Sequence, residues 1–310
     1  MRFYCGIDGG GTKTAAVLTD ENGKEYAAVQ TGGSSYRSIG IEKTAELFAG
    51  QIEQCAKQAG ISLSDLAGTV IGVPCFGENK KADREIHDLL SGILPEVPFY
   101  LCNDAEAGWA GSLGMKPGIN VVAGTGSIAY GRNSRGESVR CGGWSTFFGD
   151  EGSCYWLGCK TVELFAKQMD GRIKQNGVYE LIMEDCGAAH PQEFIDQMEE
   201  RALDRSYVAG IQKYLLLAAE QGDDSAMALY REAADELGLM VLTAARKIQI
   251  PGERLSVSVS GGLMHAEKFF LDRFLEWTER FDGQYIKPVM TPVKGAALMA
   301  VEKFRKQSIV

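Results

Sequence analysis

Apolar positions fall into two kinds of run along this chain. Short, nearly continuous apolar stretches predict strands at Phe3–Ile7, Ala15–Thr19, Lys24–Gln30, Thr69–Val73 and Phe99–Cys102. Helical spacing of apolar residues predicts helices over Ile41–Ala59, Lys80–Ser91 and Ala105–Leu113. Met115-Lys-Pro-Gly118 breaks the pattern and marks a domain boundary. The succession then restarts, with strands at Ile119–Ala123, Ile128–Arg132 and Ser138–Cys141. A helical stretch follows, at Gly152–Met169, Val178–Met183, Pro191–Ala202, Ser206–Gln221 and Ser225–Ile248. A strand at Leu255–Ser260, a helix at Ala266–Phe281 and a strand at Gln284–Ile286 close the second copy. The final helix, Val293–Lys306, has the small face Gly295, Ala296, Ala297 and Ala300, suited to close packing on a sheet.

Strand-strand-strand-helix-strand-helix therefore occurs twice, the second copy enlarged by helices. This is an α/β chain of two lobes. The first covers 1–117 and takes back the terminal helix, about 293–310. The second covers 118–292. A length of 310 residues fits that division, at roughly 100–200 residues per domain.

Each copy opens with a glycine turn between two strands: Cys5-Gly-Ile-Asp-Gly-Gly-Gly-Thr-Lys-Thr14 and Val121-Val-Ala-Gly-Thr-Gly-Ser127. Glycines there let backbone N–H groups point into one space with no Cβ in the way, which makes an anion cradle. Two cradles, one per lobe, suit a nucleoside triphosphate held between them. On this reading a bulkier residue at Gly10 or Gly126 crowds the phosphates or is forced to a positive φ. The first turn is not a Walker A loop, because Lys13 comes one place late after Gly11. Nor is it the dinucleotide-binding G-x-G-x-x-G, because a strand follows and Thr14 replaces the last glycine. Asp8, at a strand end beside the cradle, is placed to hold Mg²⁺ directly or through water.

Charge and cysteines narrow the class. A net charge of −9 attracts neither nucleic acid nor an anionic membrane. The N-terminus has no secretory signal pattern and no run approaches a membrane span, so the chain reads as cytoplasmic. The 8 cysteines scatter without C-x-x-C and read as buried free thiols. The 3 histidines show no metal-ligand spacing, and no G-x-S-x-G elbow is present.

The two turns, together with Ser256-Val-Ser-Val-Ser-Gly-Gly-Leu263 and Cys141-Gly-Gly-Trp-Ser-Thr-Phe-Phe-Gly-Asp-Glu-Gly-Ser-Cys-Tyr-Trp-Leu-Gly158, resemble the BadF/BadG/BcrA/BcrD-type ATPases of the actin/Hsp70/sugar-kinase superfamily. Within that family the last segment is similar to G-G-W-G…G-D-E-G-S-A-Y-W-I of N-acetylglucosamine kinases. The resemblance spans nearly the whole chain. It implies two actin-like (ribonuclease H-like) lobes, each a mixed five-stranded sheet with helices, and ATP-dependent phosphorylation of an amino sugar at its 6-hydroxyl. N-acetylglucosamine, glucosamine and N-acetylmuramic acid are the candidate acceptors.

By the same resemblance, Gly10, Gly11, Thr12, Lys13, Gly124, Thr125, Gly126, Gly210, Gly261 and Gly262 bind nucleotide. Asp104, in Leu101-Cys-Asn-Asp-Ala-Glu-Ala107, matches the family's catalytic aspartate in the cleft between lobes, although an Asp at a strand-to-helix junction also caps helices by ordinary chemistry. Ser35, Asp104, Ser127, Gly143, Trp144, Ser145 and Asp150 match sugar-binding positions. Asp150 also reads, as the lesser alternative, as a helix-capping acid before Gly152. ATP and Mg²⁺ are the implied cofactors and a homodimer the implied assembly. Three departures fall on the sugar side: Ser35 stands where relatives place Asn, Ser145 replaces a glycine, and Val73-Pro-Cys-Phe-Gly77 replaces a small-residue loop. They imply a less strict pocket. Arg37 reads as a solvated arginine or as a partner for an anionic substituent.

Two other classes stay open at this stage. One is an ATPase that activates 2-hydroxyacyl-CoA dehydratases through a shared iron–sulfur cluster, but the Lys-Cys-Ala-Ala-Gly-Thr-Gly type motif of that branch is missing. The other is a nucleotide-gated binding module, which needs a peptide-binding domain that the chain beyond the last predicted helix is too short to supply.

Overall fold

The computed structural model describes residues 2–187 and 189–305; Lys306 of the last predicted helix lies outside them. The chain groups into two compact units. One holds the chain up to Asn120 and again from Lys287, and the other holds Val121–Ile286.

In the first unit the elements are β1 (Phe3–Gly9), β2 (Lys13–Asp20), β3 (Glu25–Gly32), α1 (Tyr36–Ile39), α2 (Ile41–Ala59), β4 (Leu66–Val73), α3 (Lys80–Ile93), β5 (Phe99–Asn103), α4 (Asp104–Leu113) and α11 (Pro292–Arg305). The strand order is β3-β2-β1-β4-β5. β1 pairs antiparallel with β2 and parallel with β4, and β4 pairs parallel with β5. Strands covered on both faces need near-continuous apolar sequence, and β1 and β4 have it. β3, at the edge, alternates buried and exposed positions instead. On one face of the sheet, Phe48 and Ile52 of α2 and Ile86 and Leu90 of α3 join Ile7, Leu18 and Ile71 in a single core. Each such large side chain contributes about 1.5–3 kcal/mol by leaving water.

The small face of α11 meets the sheet as expected, and also a helix. A Cβ on Gly6 of β1 would lie 2.2 Å from the Ala297 nitrogen, and one on Gly295 would lie 2.2 Å from the Gly111 nitrogen of α4. Only glycines allow backbones to approach that closely.

β6 (Gly118–Ala123) runs through the division, and the second unit continues with β7 (Ser127–Arg132), β8 (Ser138–Gly142), α5 (Cys154–Met169), α6 (Gly177–Cys186), α7 (Pro191–Glu200), α8 (Arg205–Glu220), α9 (Asp224–Ile248), β9 (Ser256–Ser260), α10 (Glu267–Glu279) and β10 (Gln284–Tyr285). The order β10-β9-β6-β7-β8 repeats that of the first sheet when each set is counted in chain order. The helices α5 to α9 form the insert. Phe165 holds it together, stacked on Tyr179 at 5.1 Å and edge-on to Phe194 at 4.9 Å. At Gly158 the α5 backbone comes against α8, where a Cβ would sit 2.0 Å from the Val208 carbonyl oxygen.

Two local expectations change. The short helix α1 forms in what the sequence pattern left as a loop, and α5 starts at Cys154 rather than Gly152 because Ser153 caps it, accepting from Trp156 N–H at 3.1 Å. All the described cysteines are free thiols; Cys5, Cys55, Cys102 and Cys154 are buried and Cys159 is exposed. Among the described residues no helix is long and apolar enough to cross a membrane.

Candidate functional site

In the first unit the parallel strands β1, β4 and β5 end side by side. Asp8 stands in register with Gly72, and Gly72 with Cys102. A Cβ on Gly72 would lie 3.2 Å from the Asp104 Cα, so this glycine lets the start of α4 come down beside the strand ends. Asp8 and Asp104 are thereby brought to the carboxyl edge of one sheet, the edge where ligands of open α/β sheets bind. Burial pushes the Asp8 carboxyl up to about 7, with the Lys13 ammonium pulling part of the way back. Burial, reinforced by the charges of Glu106, Asp104 and Asp8, also pushes the Cys102 thiol well up.

Asp104 is not the cap of α4. Asn103 is: its Oδ1 accepts from Ala105 N–H at 3.0 Å, and its Nδ2 donates to the Phe76 carbonyl at 2.9 Å. The N-cap position expected of Asp104 thus falls to its neighbour, although Asp104 Oδ1 also accepts from Ala105 N–H at 3.0 Å. Asp104 takes the first helical position, half-buried, where the positive end of the helix favours an ionised acid.

Gly10, Gly11 and Thr12 form the turn between β1 and β2. Ser34 N–H donates to the Gly10 carbonyl at 3.0 Å, and Gly33 lies so close that a Cβ would meet the Gly11 oxygen at 2.1 Å. The buried Gln51 on α2 clamps the turn's far side, donating to the Thr14 carbonyl at 3.1 Å and to Thr31 Oγ1 at 2.9 Å. Thr12 and Lys13 are exposed. Neither Gly10 nor Gly126 has a positive φ, so that reason for glycine is corrected. At Gly10 the constraint is local crowding, a Cβ falling 2.7 Å from the Lys13 carbonyl oxygen.

Ser35 precedes α1 at its N-cap position without a side-chain capping bond. Two residues on, Arg37 stays half-exposed, as expected of a solvated arginine, and pairs with Glu78 at 2.7 Å. Cys75, in the loop after β4, has φ +64.

The second unit assembles its own set. The turn Gly124–Ser127 is fastened by Gly124 N–H to the Gly126 carbonyl (2.9 Å) and by Cys154 N–H to the Gly124 carbonyl (2.9 Å). Gly261, at φ +106, presses against it, and a Cβ there would meet the Ala123 oxygen at 2.4 Å. Gly262 follows in a 3₁₀ turn. Ser127 turns inward: its N–H donates to Asp150 Oδ1 at 3.1 Å and its hydroxyl to the Glu151 carbonyl at 2.6 Å. Asp150 is buried behind the turn, and a Cβ on Gly126 would meet its Oδ1 at 2.7 Å. Burial raises the Asp150 carboxyl, against the Ser127 amide and the Arg205 guanidinium. Ser153, not Asp150, caps the following helix.

From Gly142 to Gly149 the chain loops outward beside this turn. Gly143 has φ +71 and Ser145 φ +88. Trp144 is 62% exposed, with the Arg140 guanidinium 4.8 Å from its ring centre. Thr125 is half-buried in its turn. Gly210 is not gathered with these residues by any close contact: it lies exposed on α8, where a Cβ would meet nothing within 4 Å.

The sequence signature of the BadF/BadG/BcrA/BcrD ATPase family matches residues 5–300. The chain belongs to this family. Its likeness to an N-acetylmuramic acid/N-acetylglucosamine kinase of Clostridium acetobutylicum is 28% identity over 88% of this chain and 89% of that one. An N-acetyl-D-glucosamine kinase of Dictyostelium discoideum is 25% identical over 96% of this chain and 98% of its own. Among solved structures, a candidate N-acetylglucosamine kinase from Chromobacterium violaceum superposes with a TM-score of 0.76 at 26% identity, covering 97% of this chain and 99% of that one. The two-sheet α/β fold is thus shared with that candidate kinase.

Three participants escaped sequence reasoning. Asn103 was legible, since Asn before a helix is a cap signal. Glu78 and Arg205 were not, because their partners lie 41 and 55 residues away.

Proposed function

We propose that this protein is an ATP-dependent kinase of an amino sugar, transferring the γ-phosphoryl group to the sugar's 6-hydroxyl with Asp104 as general base. Its membership of an ATPase family, together with relatives named as N-acetylglucosamine and N-acetylmuramic acid kinases, supports the reaction class. The observation that carries the residue assignment is the pairing of Asp8 and Asp104 at one sheet edge, with Asn103 taking the capping task from Asp104.

Phosphoryl transfer asks little covalent chemistry of the protein: it needs positioning, charge neutralisation and a base aligned with the attacking hydroxyl. In this reading Gly10–Lys13 and Gly124–Gly126 offer backbone N–H groups to the phosphates, and Gly261 and Gly262 lie beside the adenosine. Asp104 accepts the hydroxyl proton. Mg²⁺, when bound, neutralises the phosphates and polarises the transferring group. Among the described residues no cluster of three or more His, Cys, Asp or Glu could hold a metal. Asp8 nevertheless fits Mg²⁺, which is commonly held by one or two carboxylates plus the substrate's phosphates. Its desolvated carboxyl gains most from a cation nearby.

On the sugar side, Ser35 and the Gly143–Ser145 loop are the candidate contacts, with Trp144 covering an apolar sugar face. Asp150, the other candidate sugar ligand, faces Ser127 N–H and Arg205 rather than this loop. The pairing of Arg37 with Glu78 favours an uncharged acceptor over one bearing a carboxylate, since an anion would have to displace Glu78.

The test is coupled ATP consumption across glucose, glucosamine, N-acetylglucosamine and N-acetylmuramic acid, with the product's phosphate position read by NMR. Turnover confined to amino sugars with a 6-phosphate product is expected. Turnover of none of them, or ATP hydrolysis independent of any sugar, would overturn the reading.

A further inference from the structure

Asp150 is the most constrained charge in the second unit. Its side chain is 6% exposed, and its backbone holds φ +61, a left-handed conformation uncommon outside glycine. One oxygen faces the turn, accepting from Ser127 N–H and filling the space beside Gly126. The other meets Arg205 Nη2 at 2.6 Å. Arg205 is the first residue of α8, half-exposed. The charged and titratable groups around Asp150 are Arg205, Arg140 of β8, the adjacent Glu151 and Tyr155 of α5. Arg140, however, donates to the Gly142 and Gly143 carbonyls. Arg205 is the guanidinium that bonds the carboxylate directly.

A buried carboxylate is tolerated only when paired and hydrogen-bonded, and removing one partner leaves the charge uncompensated. Without Arg205, Asp150 would take up a proton or swing toward water. A swing withdraws the acceptor from Ser127 N–H and the wall from Gly126, and a proton leaves only a neutral, weaker acceptor there. The turn would then lose the support that orients its remaining amides.

We propose that Arg205 is a positioning residue for the second glycine turn: by pairing with Asp150 it holds that carboxylate ionised against Gly126 and Ser127, and so keeps the turn in its phosphate-binding form. The inference rests on the reading of Gly124–Ser127 as a phosphate loop. It ties the helical insert, through α8, to nucleotide binding.

The experiment titrates the full-length protein with Mg²⁺ and a non-hydrolysable ATP analogue by calorimetry, with no sugar present. Arg205→Met should weaken binding by about 10- to 100-fold, the scale seen when an outer-shell partner of a site residue is lost. Arg205→Lys should restore most of it. In Arg205→Met the pH below which binding fades should move upward, because the carboxylate has lost its counter-charge; a merely structural loss would not move it. Adding Asp150→Asn to Arg205→Met should cost little further, since the two act as one unit. Wild-type affinity and pH dependence in Arg205→Met, or fully additive losses in the double variant, would overturn the proposal. Should Arg205→Met not fold, wild-type nucleotide affinity in Asp150→Asn overturns it equally. A wild type that binds the analogue but phosphorylates no sugar would sink the kinase reading alone and leave this result standing.

Discussion

On the proposed mechanism, Asn103 is the helix cap and Asp104 the base, two tasks that a single acid at a strand-to-helix junction would otherwise combine. Because Asn103 provides the cap, Asp104→Asn should fold with a thermal midpoint close to wild type while turnover falls by about 10²–10⁴-fold, the range for loss of a general base. Near-normal turnover in the folded variant would remove Asp104 from the mechanism. Ser145 shows the opposite economy. At φ +88 it occupies backbone that glycine adopts freely and serine does not. Ser145→Gly should therefore stabilise the protein by about 1 kcal/mol in urea unfolding, net of the entropy that glycine adds to the unfolded chain. The Ser145 hydroxyl accepts from Phe147 N–H at 3.5 Å, so lower stability in the variant would mean that this bond outweighs the backbone strain.

At the scale of elements, close backbone contacts decide where helices sit. Gly295 puts α11 against α4 at a distance no side chain allows, with the Gly111 nitrogen 2.2 Å from the missing Cβ. Gly295→Val should force α11 away and destabilise the fold by about 1–3 kcal/mol, as overpacking does. Because α4 begins at Asp104, turnover should fall too, with little change in nucleotide affinity. A variant as stable as wild type, by urea midpoint, would show that the helices separate without cost. The small face of α11 was visible in sequence as Gly295, Ala296, Ala297 and Ala300. Its double use, against β1 through Gly6 and against α4 through Gly111, was not, because spacing along one helix does not name the partners it meets.

For the molecule as a whole, Asp8 links function to pH. Its folded pKa of about 7, against an ordinary 3.8, means the native state holds a proton that the unfolded chain has already released. The unfolded state thus binds fewer protons over that window, and the stability of the metal-free protein should decline as pH rises from about 4 to about 7 and then level off. Asp8→Asn should flatten that part of the curve of thermal midpoint against pH. At pH 8, Mg²⁺ with nucleotide should raise the midpoint of wild type more than that of the variant. Parallel curves for the two proteins would show that Asp8 is not the group responsible.

The order of elements was written in the sequence because periodicity and turn residues act locally: α2 spans Ile41–Ala59 as its apolar spacing predicts, and both copies form sheets of the same strand order. The glycine turns and the strand-end position of Asp8 were likewise legible, since each lies within a few residues of the signal that marks it. Tertiary structure alone decided which groups hold charge in place. Arg205 reaches Asp150 and Glu78 reaches Arg37 across 55 and 41 residues, and no local pattern can encode a pairing made only when distant strands and helices pack. It also supplied the true reason for Gly126, where space rather than backbone angle excludes a side chain, because the Asp150 carboxylate occupies the volume a Cβ would need.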